Sequence, residues 1–263
     1  MIARLTLRTL ALGYLALLLA FPVGMVFIRT FEDGLGQVWE AISRPAALHA
    51  LWLTVLVAVV AVAANTVFGV ICAMVLVRRD FRGKALLNSI LDLPLAVSPV
   101  VIGLALLVVY SRTSLVGEWL AELGIRVVFS IPGIILATIF VSLPFVVREV
   151  VPVLREIGTE QEQAASTLGA SAFQTFRLVT LPAIWSGIAY GIVLTMARAI
   201  GEFGAVSVIS GKLAGRTETL TIYVEDRFQS FDLVGCYAAS VILALIAVTT
   251  LLLTNLSRPR EEY

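Results

Sequence analysis

One histidine, two cysteines and few charges are the scarcities that bound this 263-residue chain. With His49 alone, and with Cys72 and Cys236 far apart in or beside apolar runs, the donors for a metal cluster and the pairs for a disulfide framework are lacking. The two thiols are expected to be buried, and His49 to sit where a loop meets an apolar run at the membrane interface. Charged residues make up 14% of the chain, against about 25% in soluble domains, which excludes a soluble enzyme. No glycine-rich phosphate loop ending in Gly-Lys-Ser or Gly-Lys-Thr occurs, so any ATP hydrolysis must come from another polypeptide. Internal repeats and low-complexity tracts are also missing, and residues 1–263 read as one domain.

What the chain has in abundance is apolar length: 59% hydrophobic residues and a mean hydropathy of +0.98. Six runs, at about 7–28, 50–77, 86–110, 127–151, 182–206 and 234–256, each reach the roughly 20 residues that a helix needs to cross the hydrocarbon. The fold class is therefore an all-α membrane protein with six transmembrane helices. Within the first run, the apolar stretch from Thr9 to Ile28 follows Arg4 and Arg8 as a signal peptide would, but it is 20 residues long and has no small-residue cleavage site, so it reads as a retained helix. With the N-terminus inside, eleven Lys and Arg fall in inner segments, Arg258 and Arg260 of a polar tail among them, and seven in outer ones. The short basic loop from Arg78 to Lys84 weighs most, because short loops follow the positive-inside rule best. Both termini are then cytoplasmic. Trp39, Trp52, Tyr110, Trp119 and Trp185 fall near the helix ends, where amphipathic rings prefer the interface.

A polar interruption at 155–181 breaks this pattern. Thr159-Glu160-Gln161-Glu162 has the form of a capping box, predicting a short helix from Glu160 to about Leu168. Gly169 then supplies the turn that ends it. Ser171-Ala172-Phe173-Gln174 is a second box and predicts another helix running toward Thr180. The small side chains of Ala164 and Ala165 would let another protein's surface approach closely. Glu162-Gln163-Ala164-Ala165, with Gly169 and, further on, Val179, Leu181 and Pro182, resembles the coupling loop of the permease subunits of bacterial ATP-binding-cassette importers. The family's glutamate is here Gln163, with the charge displaced to Glu162. The resemblance implies a type I importer permease fold, a cytoplasmic coupling helix-turn-helix that docks on a separate ATPase, and location in the bacterial cytoplasmic (inner) membrane.

Within that family, the segment from Thr195 to Gly211, which contains Ala197-Arg198-Ala199-Ile200-Gly201-Glu202-Phe203-Gly204, resembles the fifth helix of sulfate and thiosulfate permeases. Its core is shared with molybdate permeases. The continuation from Ala205 to Gly211, together with Ser98-Pro99-Val100-Val101, resembles the W-type sulfate subunit more narrowly. Independently of resemblance, Arg198 and Glu202 are four residues apart in a predicted span, where a charge costs about 2.5 to 3.5 kcal/mol. They should face the bundle and pair, either lining an anion path or fixing helix packing. Asp92, Pro94, Ser98 and Pro99 interrupt the third helix, as a gate-forming bend or as a packing device. Asn65 is expected to hydrogen-bond a neighbouring helix. Lys212 and Arg216 mark an outer glycine-containing loop, suited to an anion or an anion-carrying protein, or simply solvated.

By resemblance the partners are a homologous second permease subunit, two ATPase subunits and an extracytoplasmic sulfate-binding protein. ATP and magnesium would be bound on the ATPase, with no cofactor on this chain and no role for nucleic acid. The alternatives are a molybdate or tungstate permease, and an ion-coupled carrier acting alone. The latter leaves the Ala-Ala and glycine loop unexplained.

Overall fold

A computed structural model describes residues 2–32 and 34–256; the polar tail 257–263 lies outside them. Every regular element among the described residues is helical. The first span joins α1 (Ile2–Leu15) to α2 (Phe21–Glu32) through a π-helical turn at Ala16–Ala20. A second π-helical turn occupies Phe176–Thr180. Each ends two residues before a proline, Pro22 or Pro182, and contains the residue, Leu18 or Leu178, whose carbonyl that ring would strike in a regular α-helix. The widened turn is the local relief.

After α3 (Leu35–Ser43), α4 (Pro45–Arg78) runs for 34 residues, about 50 Å. Next come α5 (Lys84–Ala96), α6 (Pro99–Tyr110), the short α7 (Leu115–Glu122) and α8 (Ile131–Glu156). The third run at 86–110 is not one straight helix: α5 and α6 are bent by 112°, broken at Val97 and Ser98, where Ser98 and Pro99 are expected to interrupt it. Ser98 is held out of the helical region as the residue before a proline, Val97 ahead of it is extended as well, and Pro99 restarts the helix at its first turn. Asp92 and Pro94 do not break it; Pro94 is buried inside α5.

The polar interruption forms α9 (Glu160–Thr167), α10 (Ala172–Thr175) and, beyond the second π-helical turn, α11 (Leu181–Ala183), leading to α12 (Trp185–Ile200). The predicted helix at 182–206 is also corrected, since α12 ends at Ile200 and a separate α13 (Gly204–Ile209) follows. The chain finishes with α14 (Leu220–Gln229) and α15 (Leu233–Leu256). Among the described residues, four helical stretches are long and apolar enough to span a membrane, and up to six if each bent pair is one span.

The helices α4, α8 and α12 form the centre of the bundle. Their axes come close because glycines face Val146 of α8: a Cβ on Gly69 would lie 2.8 Å from Val146 Cβ, and one on Gly191 2.9 Å from its Cα. Asn65, fully buried on α4, donates from Nδ2 to Ile139 O at 3.0 Å and to Ser142 Oγ at 2.9 Å, both on α8. That is the interhelical bond expected of it. Cys72 and Cys236 are buried and unlinked. His49 stacks obliquely on the exposed Trp52, with ring centroids 5.8 Å apart near the start of α4. The first span stays at the periphery, with α2 against α15.

Candidate functional site

The polar interruption projects from one end of the bundle as a surface with almost no core of its own. The helix α9 has no buried residue, and Gln163 and Ala164 are exposed. Its C-terminus closes as sequence reasoning anticipates. Gly169 adopts φ +85°, its N–H donates to Ser166 O at 3.0 Å, and Ala170 N–H donates to Ala165 O at 3.1 Å, the paired bonds of a Schellman turn. The second capping box is present in full, with Ser171 and Gln174 satisfying each other's backbone donors.

The first box is not formed, which corrects that expectation. Thr159 caps nothing with its side chain, and its Oγ1 instead accepts from Gln163 Nε2 at 3.1 Å. Glu162 is drawn elsewhere: its carboxylate lies 3.0 Å from Arg78 Nε and accepts from Thr180 Oγ1 at 2.8 Å. Leu181 packs against the core beneath while Pro182 is exposed. Around α9, three large apolar side chains stand in the open: Leu168 (88% exposed), Phe173 and Leu178 (70% each). Sequence reasoning did not single them out, although apolar residues in an otherwise polar loop are a signal for a protein contact.

The two helix breaks converge. A Cβ on Gly204 would lie 2.9 Å from Pro99 Cβ, and one on Gly103 would lie 2.6 Å from Ala205 O, so the glycines let α6 and α13 pack backbone to backbone. Ser98 and Pro99 are thus brought beside the segment that follows Glu202. Arg198 and Glu202 do pair, at 2.5 Å. Glu202, however, sits past the end of α12, with its side chain almost wholly buried, and its Oε1 accepts from Ala205 N at 2.8 Å to start α13. Its carbonyl accepts from Thr221 Oγ1 at 2.9 Å. One carboxylate therefore holds the arginine, caps the next helix and marks the break, while the Arg198 side chain stays 30% exposed. Asp92 meets a different cation: Arg148 of α8 grips it through two parallel bonds, Nε to Oδ1 at 2.7 Å and Nη2 to Oδ2. That pair is half exposed. Arg148 is one of the eleven inner basic residues that set the orientation, and nothing in its sequence position marks it as the partner of Asp92.

At the opposite end of the bundle, the Ser210–Thr219 loop is more ordered than a solvated turn. Thr217 Oγ1 donates to Ser210 O at 2.7 Å, and Lys212, at φ +52°, reaches Glu225 at 2.6 Å. Only Arg216 of the two predicted contact residues is left exposed without an ion pair among the described residues. Glu218, 2% exposed, has its Oε2 buried without a hydrogen-bond partner among the described residues. Burial and, secondarily, the charge of Asp226 push its carboxyl up to about 7, with Arg227 acting in the other direction.

Comparison with known proteins agrees with this architecture. The family model described as binding-protein-dependent transport system inner membrane component matches residues 65–262. The chain is 48% identical over 257 residues to the sulfate transport system permease protein CysW of Synechocystis sp., covering 98% of this chain and 93% of that protein. It is 40% identical over 249 residues to the sulfate transport system permease protein CysT of Escherichia coli, covering 93% and 89%. A solved bacterial alginate ABC transporter, in complex with an alginate pentasaccharide-bound periplasmic protein, superposes with a TM-score of 0.78 over 96% of this chain and 92% of that one. At 18% identity this is a likeness of fold.

Proposed function

The chain belongs to the family of binding-protein-dependent transport system inner membrane components, and from that premise we propose that it forms half of the pathway of an ATP-driven sulfate or thiosulfate importer. It is a transport subunit rather than an enzyme. The observation that carries this reading is the exposed coupling loop: small residues on a helix without a core of its own, ended at Gly169 and rimmed by bare Leu168 and Phe173. Such a surface fits docking on a separate ATPase, which would hold the ATP and magnesium. The sulfate cargo, in preference to molybdate, is supported by the similarity to sulfate transport system permease proteins. Similarity to two distinct sulfate permease types, CysW and CysT, supports a heterodimer with a homologous permease. An extracytoplasmic sulfate-binding protein would deliver the anion at the end of the bundle that carries Lys212 and Arg216, with the coupling loop and both termini cytoplasmic.

Arg198, partly exposed and held by the buried Glu202, is proposed to lie beside the anion path, where Glu202 limits how tightly it holds a dianion. Asp92 with Arg148, Pro94, and Ser98 with Pro99 at the bend are proposed to belong to the gate. Reconstitution with the ATPase, the second permease and the binding protein tests the whole. ATP-dependent uptake of radiolabelled sulfate, competed by thiosulfate and less by molybdate, is expected. Gly169→Glu places a side chain at positive φ, a strain of about 1 to 2 kcal/mol, and should leave membrane insertion intact while uncoupling hydrolysis from uptake. Normal uptake by that variant, or by Arg198→Gln, would refute the corresponding role.

A further inference from the structure

The coupling helix α9 lies between two open pivots. Gly158 at φ +62° precedes it and Gly169 at φ +85° follows it, and no atom lies within 4 Å of where either Cβ would stand. With no buried residue of its own, α9 has no hydrophobic core to fix it to the spans. Glu162 reaches inward in its place. Its Oε2 lies 3.0 Å from Arg78 Nε, and its Oε1 accepts from Arg78 Nη2 at 3.2 Å and from Thr180 Oγ1 at 2.8 Å. Arg78, the last residue of α4, also donates to Leu154 O at 3.0 Å and to the pivot carbonyl Gly158 O at 2.6 Å. A single guanidinium thus holds α9, the end of α8 and the pivot between them. Thr180 carries the connection on to α11 and α12. The charged side chains are only 12% and 20% exposed, so water screens this pair weakly.

We propose that Arg78, Glu162 and Thr180 are positioning residues that make the coupling helix move as one body with α4 and α12. Glu162 then serves as an internal tether and not as a contact to the ATPase. Without the tether, a displacement imposed on the exposed face of α9 is absorbed by rotation at Gly158 and Gly169. With it, the displacement enters the spans that form the centre of the bundle. This rests on the docking role proposed above.

The test uses the complete complex in liposomes and compares Glu162→Gln and Thr180→Val with the unaltered protein. Sulfate taken up, ATP hydrolysed and ATPase retained in the complex are all measured. For Glu162→Gln, uptake per ATP should fall about tenfold or more, equivalent to about 1.4 kcal/mol of lost coupling, with hydrolysis and subunit stoichiometry kept. Thr180→Val keeps both charges and the fold, and should lower the same ratio by a smaller factor; it decides the matter if Glu162→Gln does not assemble. An unchanged ratio overturns the proposal. So does a parallel fall of hydrolysis and uptake, which means that the residues only hold the fold, or loss of the ATPase from the complex, which means that Glu162 faces the partner. Absence of ATP-dependent uptake in the unaltered complex would instead refute the importer assignment itself.

Discussion

Replacing Gly69 by alanine should destabilise the bundle, and the defect should be partly repaired from the neighbouring helix. The added methyl would stand 2.8 Å from both Cβ and Cγ1 of Val146, and 3.4 Å from the Val147 nitrogen. Val146 cannot turn away, because it is fully buried and its Cα is already approached by Gly191 on the other side. Overpacking of this kind costs about 1 to 3 kcal/mol, and the contacts place Gly69→Ala in the upper part of that range. Alanine's better helix propensity returns up to about 1 kcal/mol, leaving a net loss of about 1 to 2 kcal/mol. Val146→Ala alone leaves a void of two methyl groups, which costs a similar amount. In the double variant the contact with Cγ1 is gone and the new methyl occupies part of that void, while the contact with Cβ stays, so the two losses should fall short of their sum by about 1 kcal/mol. Reversible unfolding in mixed detergent micelles, run as a double-mutant cycle, measures this. Additivity within about 0.5 kcal/mol would mean that α4 and α8 do not meet through these residues.

Glu218 and the two capping boxes supply the other predictions. The folded chain holds the Glu218 proton up to about pH 7, against an ordinary value of 4.5, so the folded state binds more protons than the unfolded state between those values and loses stability as the pH rises through them. The loss amounts to at most about 3 kcal/mol, complete above pH 7 and absent below 4.5. Glu218→Gln should flatten that part of the thermal stability profile of the detergent-solubilised protein and raise its alkaline side; an unaltered difference between pH 5 and 8 would contradict the buried, unpartnered carboxyl. Ser171→Ala should cost about 1 kcal/mol of local stability and Thr159→Ala less than about 0.5, because only the first removes a formed cap. Hydrogen exchange of the amides at 172–175 and 160–163 separates the two, and equal effects would contradict the observed caps.

Features that depend on neighbours in the chain were legible, and features that depend on the bundle were not. The turn at Gly169, the cap at Ser171 and the short α9 follow from local chemistry, and the structure shows all three. Asn65 could be assigned to a helix partner because an amide inside an apolar run has nowhere else to satisfy its donors. Hydropathy is blind to direction, so residues 86–110 read as one span; the prolines marked an interruption in it, but not that Ser98-Pro99 alone turns the chain through 112° while Pro94 stays inside a helix. The failed box at Thr159 is a competition lost to tertiary structure. Glu162 had a local partner in the sequence, but Arg78, 84 positions earlier, and Thr180 offer a charged bond and a hydroxyl at once. The same distance hid Arg148 from Asp92, 56 positions away. The Arg198 and Glu202 pair was visible from its spacing, but not that Glu202 lies beyond the end of α12 and caps the start of the next helix.

The peripheral placing of the first span sets a timetable for biosynthesis. The helix α2 finds its partner in α15, which begins about 200 residues later in the chain. At roughly 5 to 20 residues per second of translation, the first span must wait on the order of 10 to 40 seconds in the bilayer before the surface it packs against exists. Its exposed leucines suit it to that interval alone in lipid, so a span made long before its partner is among the last of the described helices to be assembled.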